Sequence, residues 1–187
     1  EHLATKGLGL HNDLQNEHSI VGNNVGVLLM AEYGSAKQKE EWLPLMLEGK
    51  RGFAFGITEP AHGSDATHME TNAVRDGDGW KINGAKTWNT GIHKAQYDMV
   101  MARTSGKAGD GDGITAFLTP LDAEGAKIEE FLWTFNMPTD HGTVSFKDVY
   151  VDNSAIFGEE GHGLQIVQHF FNENRIRQAA SSLGAGQ

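Results

Sequence analysis

Cysteine is absent from the 187 residues, which excludes disulfides, a thiol nucleophile and Cys-ligated zinc or iron–sulfur centres. Basic clusters are missing too: 15 Lys and Arg stand against 25 Asp and Glu, mixed along the chain, for a net charge of −10. A nucleic-acid partner is therefore not expected. No apolar run approaches the roughly 18 residues a membrane-spanning helix needs, and no basic amphipathic helix is evident, so no membrane span is expected. Four routes to a function are closed as well. The sequence has no P-loop, no G-x-G-x-x-G after a strand, no G-x-S-x-G and no H-E-x-x-H. Nine histidines raise a metal reading, but the nearest pairs, His11/His18, His62/His68 and His162/His169, are six or seven positions apart. That is not helical ligand spacing, and no metal site is expected. Residues 76–79 (DGDG) and 109–113 (GDGDG) resemble calcium loops, yet no Glu stands at the closing position. They read as hairpin turns.

What is present is an ordinary soluble globular composition, 39% apolar and 21% charged, enough for one domain or one domain with fragments of another. The chain opens on Glu1 within what reads as structure and stops at "RIRQAASSLGAGQ" inside a helical pattern, so a piece of a longer protein is expected. Residues 17–33 carry Ile20, Val21, Val25, Val27, Leu28, Leu29 and Met30, which predicts a buried helix despite its glycines. Ser35 with Gln38 three residues on predicts a capping box for a second helix, with Trp42, Leu43, Leu45, Met46 and Leu47 as its apolar residues and Gly49 as its stop. From Gly52 the texture changes to β-branched and aromatic runs separated by Gly- and Asp-rich turns, which argues an antiparallel sandwich or barrel. Helical spacing returns near residue 164, with Leu164, Val167, Phe171 and Ile176 on one side.

Two stretches carry candidate chemistry. In "GFAFGITEPAHGSDATHMET", residues 52–71, an alternating strand (Phe53, Phe55, Ile57) ends in Thr58, Glu59 and Pro60, followed by Gly63, Ser64 and Asp65. A strand-end hydroxyl, backbone N–H groups and a small-residue turn suit a planar cofactor with a phosphate tail. The plainer alternative is a turn with Ser64 or Asp65 capping a short helix and Glu59 paired on the surface. In "INGAKTWNTG", residues 82–91, a strand is expected to end with Trp88 and Thr90 on one face. An indole beside a hydroxyl suits a flat aromatic ligand, though Trp88 taken alone reads as core rather than as a cofactor wall.

Taken together, "FGITEPAHGSD", "DGDGWKINGAKTWNTG", "MVMART", "VSFKDVYVDNSAIFGEEGHGLQIV" and "NENRIRQAASSLGAGQ" resemble the acyl-CoA dehydrogenase family, in order and spacing, from about Tyr33 to the C-terminus. The resemblance implies an α+β chain: residues 1–51 as the end of an N-terminal helical domain, 52–158 as an antiparallel β-sandwich or barrel middle domain, and 159–187 as the start of a C-terminal helical domain. It implies FAD as cofactor, with Phe55, Ile57 and Thr58 along the flavin edge and Gly63 and Ser64 at the pyrophosphate. Trp88, Asn89 and Thr90 would lie by the ring, with the Thr90 hydroxyl toward N5. Ser64, Asn172 and Arg175 would meet an acyl-CoA substrate.

The implied reaction is α,β-dehydrogenation: a carboxylate takes the α-proton, and the β-hydrogen leaves as hydride to the flavin. Electrons then pass to an electron-transfer flavoprotein, and the full-length enzyme is expected to be a cytoplasmic homotetramer. The base is expected beyond Gln187. In a minority of the family it precedes the residue matching Arg175, but that position is Asn174, an amide, and Glu173 lies about 100° round the helix. Other departures are "NMPTDHG" (136–142) in the loop expected before the last strand, Asp152 after Val151, His62 where small residues are usual, and Asn89 where Ile is common. Oxygen-using flavoenzymes of the same scaffold, and a non-enzymatic β-sandwich binding module, are the alternatives.

Overall fold

The computed structural model describes Thr5, residues 25–134 and residues 137–186. The expected helix over 17–33 is seen as α1, Val25–Tyr33; its first residues, Ile20 and Val21 among them, lie outside the described residues, as do His11 and His18. Helix α2, Ala36–Leu47, begins with the capping box read from the sequence. Ser35 Oγ accepts from the Gln38 backbone N–H at 3.2 Å, and Gln38 Oε1 accepts from the Ser35 backbone N–H at 2.9 Å. Gln38 then spends its amide nitrogen on the carbonyls of Ser154 and Ile156, both at 2.9 Å, which ties the helix start to the β-region.

Eight strands follow among the described residues: β1 Phe53–Gly56, β2 Asn72–Asp76, β3 Gly79–Lys86, β4 Tyr97–Arg103, β5 Ile114–Pro120, β6 Ala126–Thr134, β7 Met137–Asp152 and β8 Ile156–Phe157. They form one sheet in the order β6-β7-β3-β2-β4-β5-β8, with β1 added to β4. Most pairings are antiparallel, but β1 and β2 each meet β4 in parallel. The expected hairpin at 76–79 is present, with Asp76 opposite Gly79 and Gly77 at φ 59°. Residues 109–113 lie, as expected, in a hairpin connection, the longer one that joins the antiparallel pair β4 and β5. Arg103 gathers it by donating to the carbonyls of Ser105, Asp110 and Asp112, and to Thr67 of a neighbouring loop.

Strands β4 and β5 are buried on both faces because their alternate side chains serve two cores. Met99, Met101, Ile114, Ala116 and Leu118 face a helix-side core with Leu29, Met30, Trp42, Met46, Ile166 and Val167. Val100, Ala102 and Phe117 face a second core with Trp80, Ile82, Val144, Phe146 and Val149. The sheet thus curls over itself, as the sandwich-or-barrel expectation requires. One expectation fails locally: residues 137–141, expected in a loop, are already part of β7, with Met137 and Pro138 paired to β6 and a register shift before Gly142. The last helix, α3 (Gly163–Gly186), packs on β5 and α1; His169 Nδ1 lies 3.0 Å from the Tyr33 hydroxyl. No helix among the described residues is long and apolar enough to cross a membrane.

Candidate functional site

Strand β1 runs out at Gly56, and the chain beyond it turns along the segment that follows β3. Two contacts fix this arrangement: the Thr87 N–H donates to the Thr58 carbonyl at 2.9 Å, and Phe55 forms an antiparallel bridge with Thr90. The two stretches singled out in the sequence are therefore neighbours. Strand β3, however, ends at Lys86, and the expected strand through Thr90 does not form. Trp88 sits at φ 61°, a conformation that interrupts the pleat and costs an L-residue roughly 1–3 kcal/mol unless its surroundings hold it. The indole is 47% exposed, so Trp88 is not a core residue. It meets the His141 ring edge-on at 6.3 Å.

The individual predicted residues fall into two groups. Thr58 and Thr90 are half-buried, and Ser64 is exposed. A Cβ at Gly63 would meet nothing within 4 Å, so that turn is uncrowded. Ile57 and Asn89 behave otherwise. The Ile57 side chain is buried in the helix-side core, and its carbonyl accepts from Lys86, which leaves a backbone N–H as all it can offer. Asn89 is turned inward. Its side chain is fully buried and donates to Asp98, while its N–H donates to the Gly142 carbonyl. The plainer alternative for residues 58–65 is realised in part, because Asp65 caps a 3-10 turn at Ala66–His68. Glu59 is not on the surface.

Glu59 and Lys86 form a buried ion pair under this loop. Lys86 Nζ lies 2.8 Å from Glu59 Oε1, 3.1 Å from the Ile57 carbonyl and 4.0 Å from Met69 Sδ, three acceptors for the three N–H bonds of an ammonium. The Glu59 carboxylate also accepts from the Glu70 and Thr71 backbone N–H groups at 2.6 and 2.9 Å. Burial pushes the Glu59 carboxyl up, but the Lys86 ammonium and these hydrogen bonds outweigh it and hold it below its ordinary value. Burial lowers Lys86, and Glu59 partly offsets it. Burial pushes Asp98 up to about 7, against the Lys86 charge and the Asn89 hydrogen bond. A lowered carboxyl stabilises the fold above the unfolded value of about 4.3, and that contribution is lost as pH falls through the folded value. Glu59→Gln is therefore expected to flatten the acid limb of the stability profile below about pH 4. Acid unfolding followed by circular dichroism checks it; an unchanged limb would show that Glu59 is not the group responsible.

Helix α3 reaches the site through aromatic packing. Phe170 stacks on Phe55, centroids 4.5 Å apart and planes 12° from parallel. One turn on, the exposed Arg175 lies over Phe171 at 5.5 Å and 3.4 Å from Asn172 Oδ1. Asn172 also lines a cavity of about 490 Å³ with Gly111, Asp112, His162, Leu164 and His169. Asn174 is occupied in accepting from Arg177 at 2.7 Å. Sequence reasoning missed Lys86, Asp98 and Phe170. The one available signal was an acid set inside the apolar strand "YDMVMA".

The model of the acyl-CoA dehydrogenase middle domain matches residues 54–149. The mitochondrial short-chain specific acyl-CoA dehydrogenase of Mus musculus is 32% identical over 170 residues, covering 89% of this chain and 40% of that protein. Acyl-CoA dehydrogenase FadE29 of Mycobacterium tuberculosis is 35% identical over 156 residues, covering 81% and 39%. Among solved structures, acyl-CoA dehydrogenase from Geobacillus kaustophilus superposes with a TM-score of 0.78 at 31% identity, covering 87% of this chain and 43% of that one. The chain spans about two fifths of the length of these relatives.

Proposed function

Because the chain belongs to the acyl-CoA dehydrogenase family, we propose that it supplies the FAD- and acyl-CoA-binding part of an enzyme that oxidises an acyl-CoA thioester to a 2-enoyl-CoA. Residues 1–51 and 159–187 would belong to flanking helical domains and 52–158 to the middle domain. The observation that carries this reading is the bridge between the end of β1 and the segment after β3, which brings Thr58, the exposed Trp88 and Thr90 to one strand end. The residues present fit a flavin. Trp88 offers a ring face, Thr58 and Thr90 offer hydroxyls to the polar edge, and the open turn at Gly63 and Ser64 leaves room for a pyrophosphate.

FAD, when bound, would accept the two electrons and the β-hydrogen. The chain's own residues bind and orient. Phe55 contributes packing through Phe170, and Ile57 contributes at most its N–H. Asn89 is withdrawn from the ligand set as a side chain, because it is fully buried with its Nδ2 turned to Asp98. Ser64, Asn172 and Arg175 would hold the acyl-CoA, Arg175 as the cation for its phosphates. Asn174 cannot take the α-proton, so the base is assigned to a carboxylate elsewhere in the full-length enzyme. That enzyme would act as a cytoplasmic homotetramer and pass electrons to an electron-transfer flavoprotein.

The test is an absorption spectrum of the full-length protein before and after anaerobic addition of a panel of acyl-CoAs. Bleaching of a flavin band is the expected result. A flavin band that no acyl-CoA bleaches would move the reading to the oxygen-using flavoenzymes of the same scaffold. A protein with no flavin would leave the binding-module reading in place.

A further inference from the structure

Asn89 and Asp98 form a second buried polar unit, which the proposed function leaves unused. The amide comes from the segment after β3 and the carboxyl from β4, and both side chains are fully buried. One hydrogen bond joins them, from Asn89 Nδ2 to Asp98 Oδ2. The other end of the pair is open: Asn89 Oδ1 and Asp98 Oδ1 have no hydrogen-bond partner among the described residues. Thr119, directly across from Asp98 on β5, supplies no bond either. Strand β1 closes the remaining side with Gly56, where a Cβ would come within 2.8 and 2.9 Å of the two carboxyl oxygens.

The charged groups around this unit are already committed. Lys86 of β3 is the cation that acts on Asp98, but its three N–H bonds go to Ile57, Glu59 and Met69. Glu59, from the chain after β1, is neutralised by Lys86. On the β7 side, His141 faces the Trp88 ring. An ionised Asp98 would thus be a buried anion with a single hydrogen bond, its second oxygen and the Asn89 oxygen both acceptors without a donor among the described residues. A neutral acid removes the conflict. Its hydroxyl donates to the Asn89 carbonyl while the amide donates back, an acid–amide pair closed by two hydrogen bonds.

We propose that Asp98 is a positioning residue: it holds a proton that closes this pair with Asn89 and so fixes residues 88–90 against the end of β1. Its bearing on activity rests on the reading of those residues as the flavin edge. The burial that pushes Asp98 up to about 7 puts the opening of the pair near neutrality. Since the folded chain binds this proton more tightly than the unfolded one, the stabilisation is full below the unfolded value of about 3.9 and is lost as pH rises through the folded value.

Two readings on the chain itself test this. In ¹⁵N NMR spectra across neutrality, the Trp88 indole and the Asn89 and Thr90 amides are expected to shift together with one midpoint. The infrared band of a protonated carboxyl is expected to disappear with the same midpoint. Asp98→Asn, which keeps the shape but cannot ionise, is expected to abolish both transitions. Should that variant fail to fold, Asn89→Ala serves instead: the infrared transition persists, and the Trp88 and Thr90 resonances cease to follow it. An Asp98 already ionised at the acid end overturns the proposal, as does a segment whose titration survives either substitution. In the full-length protein, Asp98→Asn is expected to remove a pH dependence of flavin affinity across the same range. A full-length protein that binds no flavin would sink the flavin reading while the NMR titration still decides the positioning role.

Discussion

Lys86→Met is expected to destabilise the chain by about 3–5 kcal/mol, the usual cost of removing one partner from a buried ion pair. The side chains of Lys86 and Glu59 are 0% and 4% exposed, so no solvent replaces the lost ammonium. The remaining carboxylate keeps the Glu70 and Thr71 N–H groups but stands as an uncompensated charge. A neutral partner relieves it: Lys86→Met/Glu59→Gln should be more stable than Lys86→Met alone, even though glutamine satisfies only one of those two N–H groups. Urea unfolding of the single and double variants measures both effects. A loss below about 1 kcal/mol for Lys86→Met would place the pair among solvent-screened bridges, contrary to its burial. The same pair clamps the Ile57 carbonyl, so the damage should reach the strand end where the flavin is proposed to lie.

Trp80→Ala should cost a comparable amount, about 3–5 kcal/mol for emptying a large buried aromatic site. Trp80 is 2% exposed and meets Phe117 edge-on at 5.6 Å, joining the two halves of the curled sheet. Its indole N–H donates to Asn153 Oδ1 at 3.0 Å, and the same oxygen accepts from Arg75, whose guanidinium lies 4.2 Å over the ring and reaches Glu160 at 2.7 Å. Trp80→Phe separates the contributions. It retains most of the ring packing and loses the N–H bond, so about 1–2 kcal/mol is expected. Thermal unfolding of the two variants should rank them clearly. Equal losses would mean that the hydrogen bond to Asn153, rather than the packing, sets the cost.

Elements held by local chemistry were legible from the sequence. The capping box of α2 needs only Ser35 and Gln38, and the hairpin at 76–79 needs only its glycines. Strands β4 and β5 were legible as apolar runs, but which side chain enters which core depends on the neighbours that tertiary structure brings to each face. Long-range partners explain the misses. Glu59 looks like a surface acid until Lys86, 27 residues on, arrives beside it. The strand pattern of residues 82–91 runs smoothly through Trp88, yet the Thr58 carbonyl, the Gly142 carbonyl and the Asp98 carboxyl hold residues 87–89 out of the pleat. Residues 137–141 carry weak strand character and become strand because β6 offers them a ladder. The candidate site was legible as a set of residues through the family resemblance, but the inward turn of Asn89 was not, because it depends on a partner in another strand.

The double duty of β4 and β5 has a further consequence. Each strand contributes alternate residues to both cores, so neither core can open while the other stays packed. The helices on one side and the outer half of the sheet on the other are therefore expected to melt as one cooperative unit.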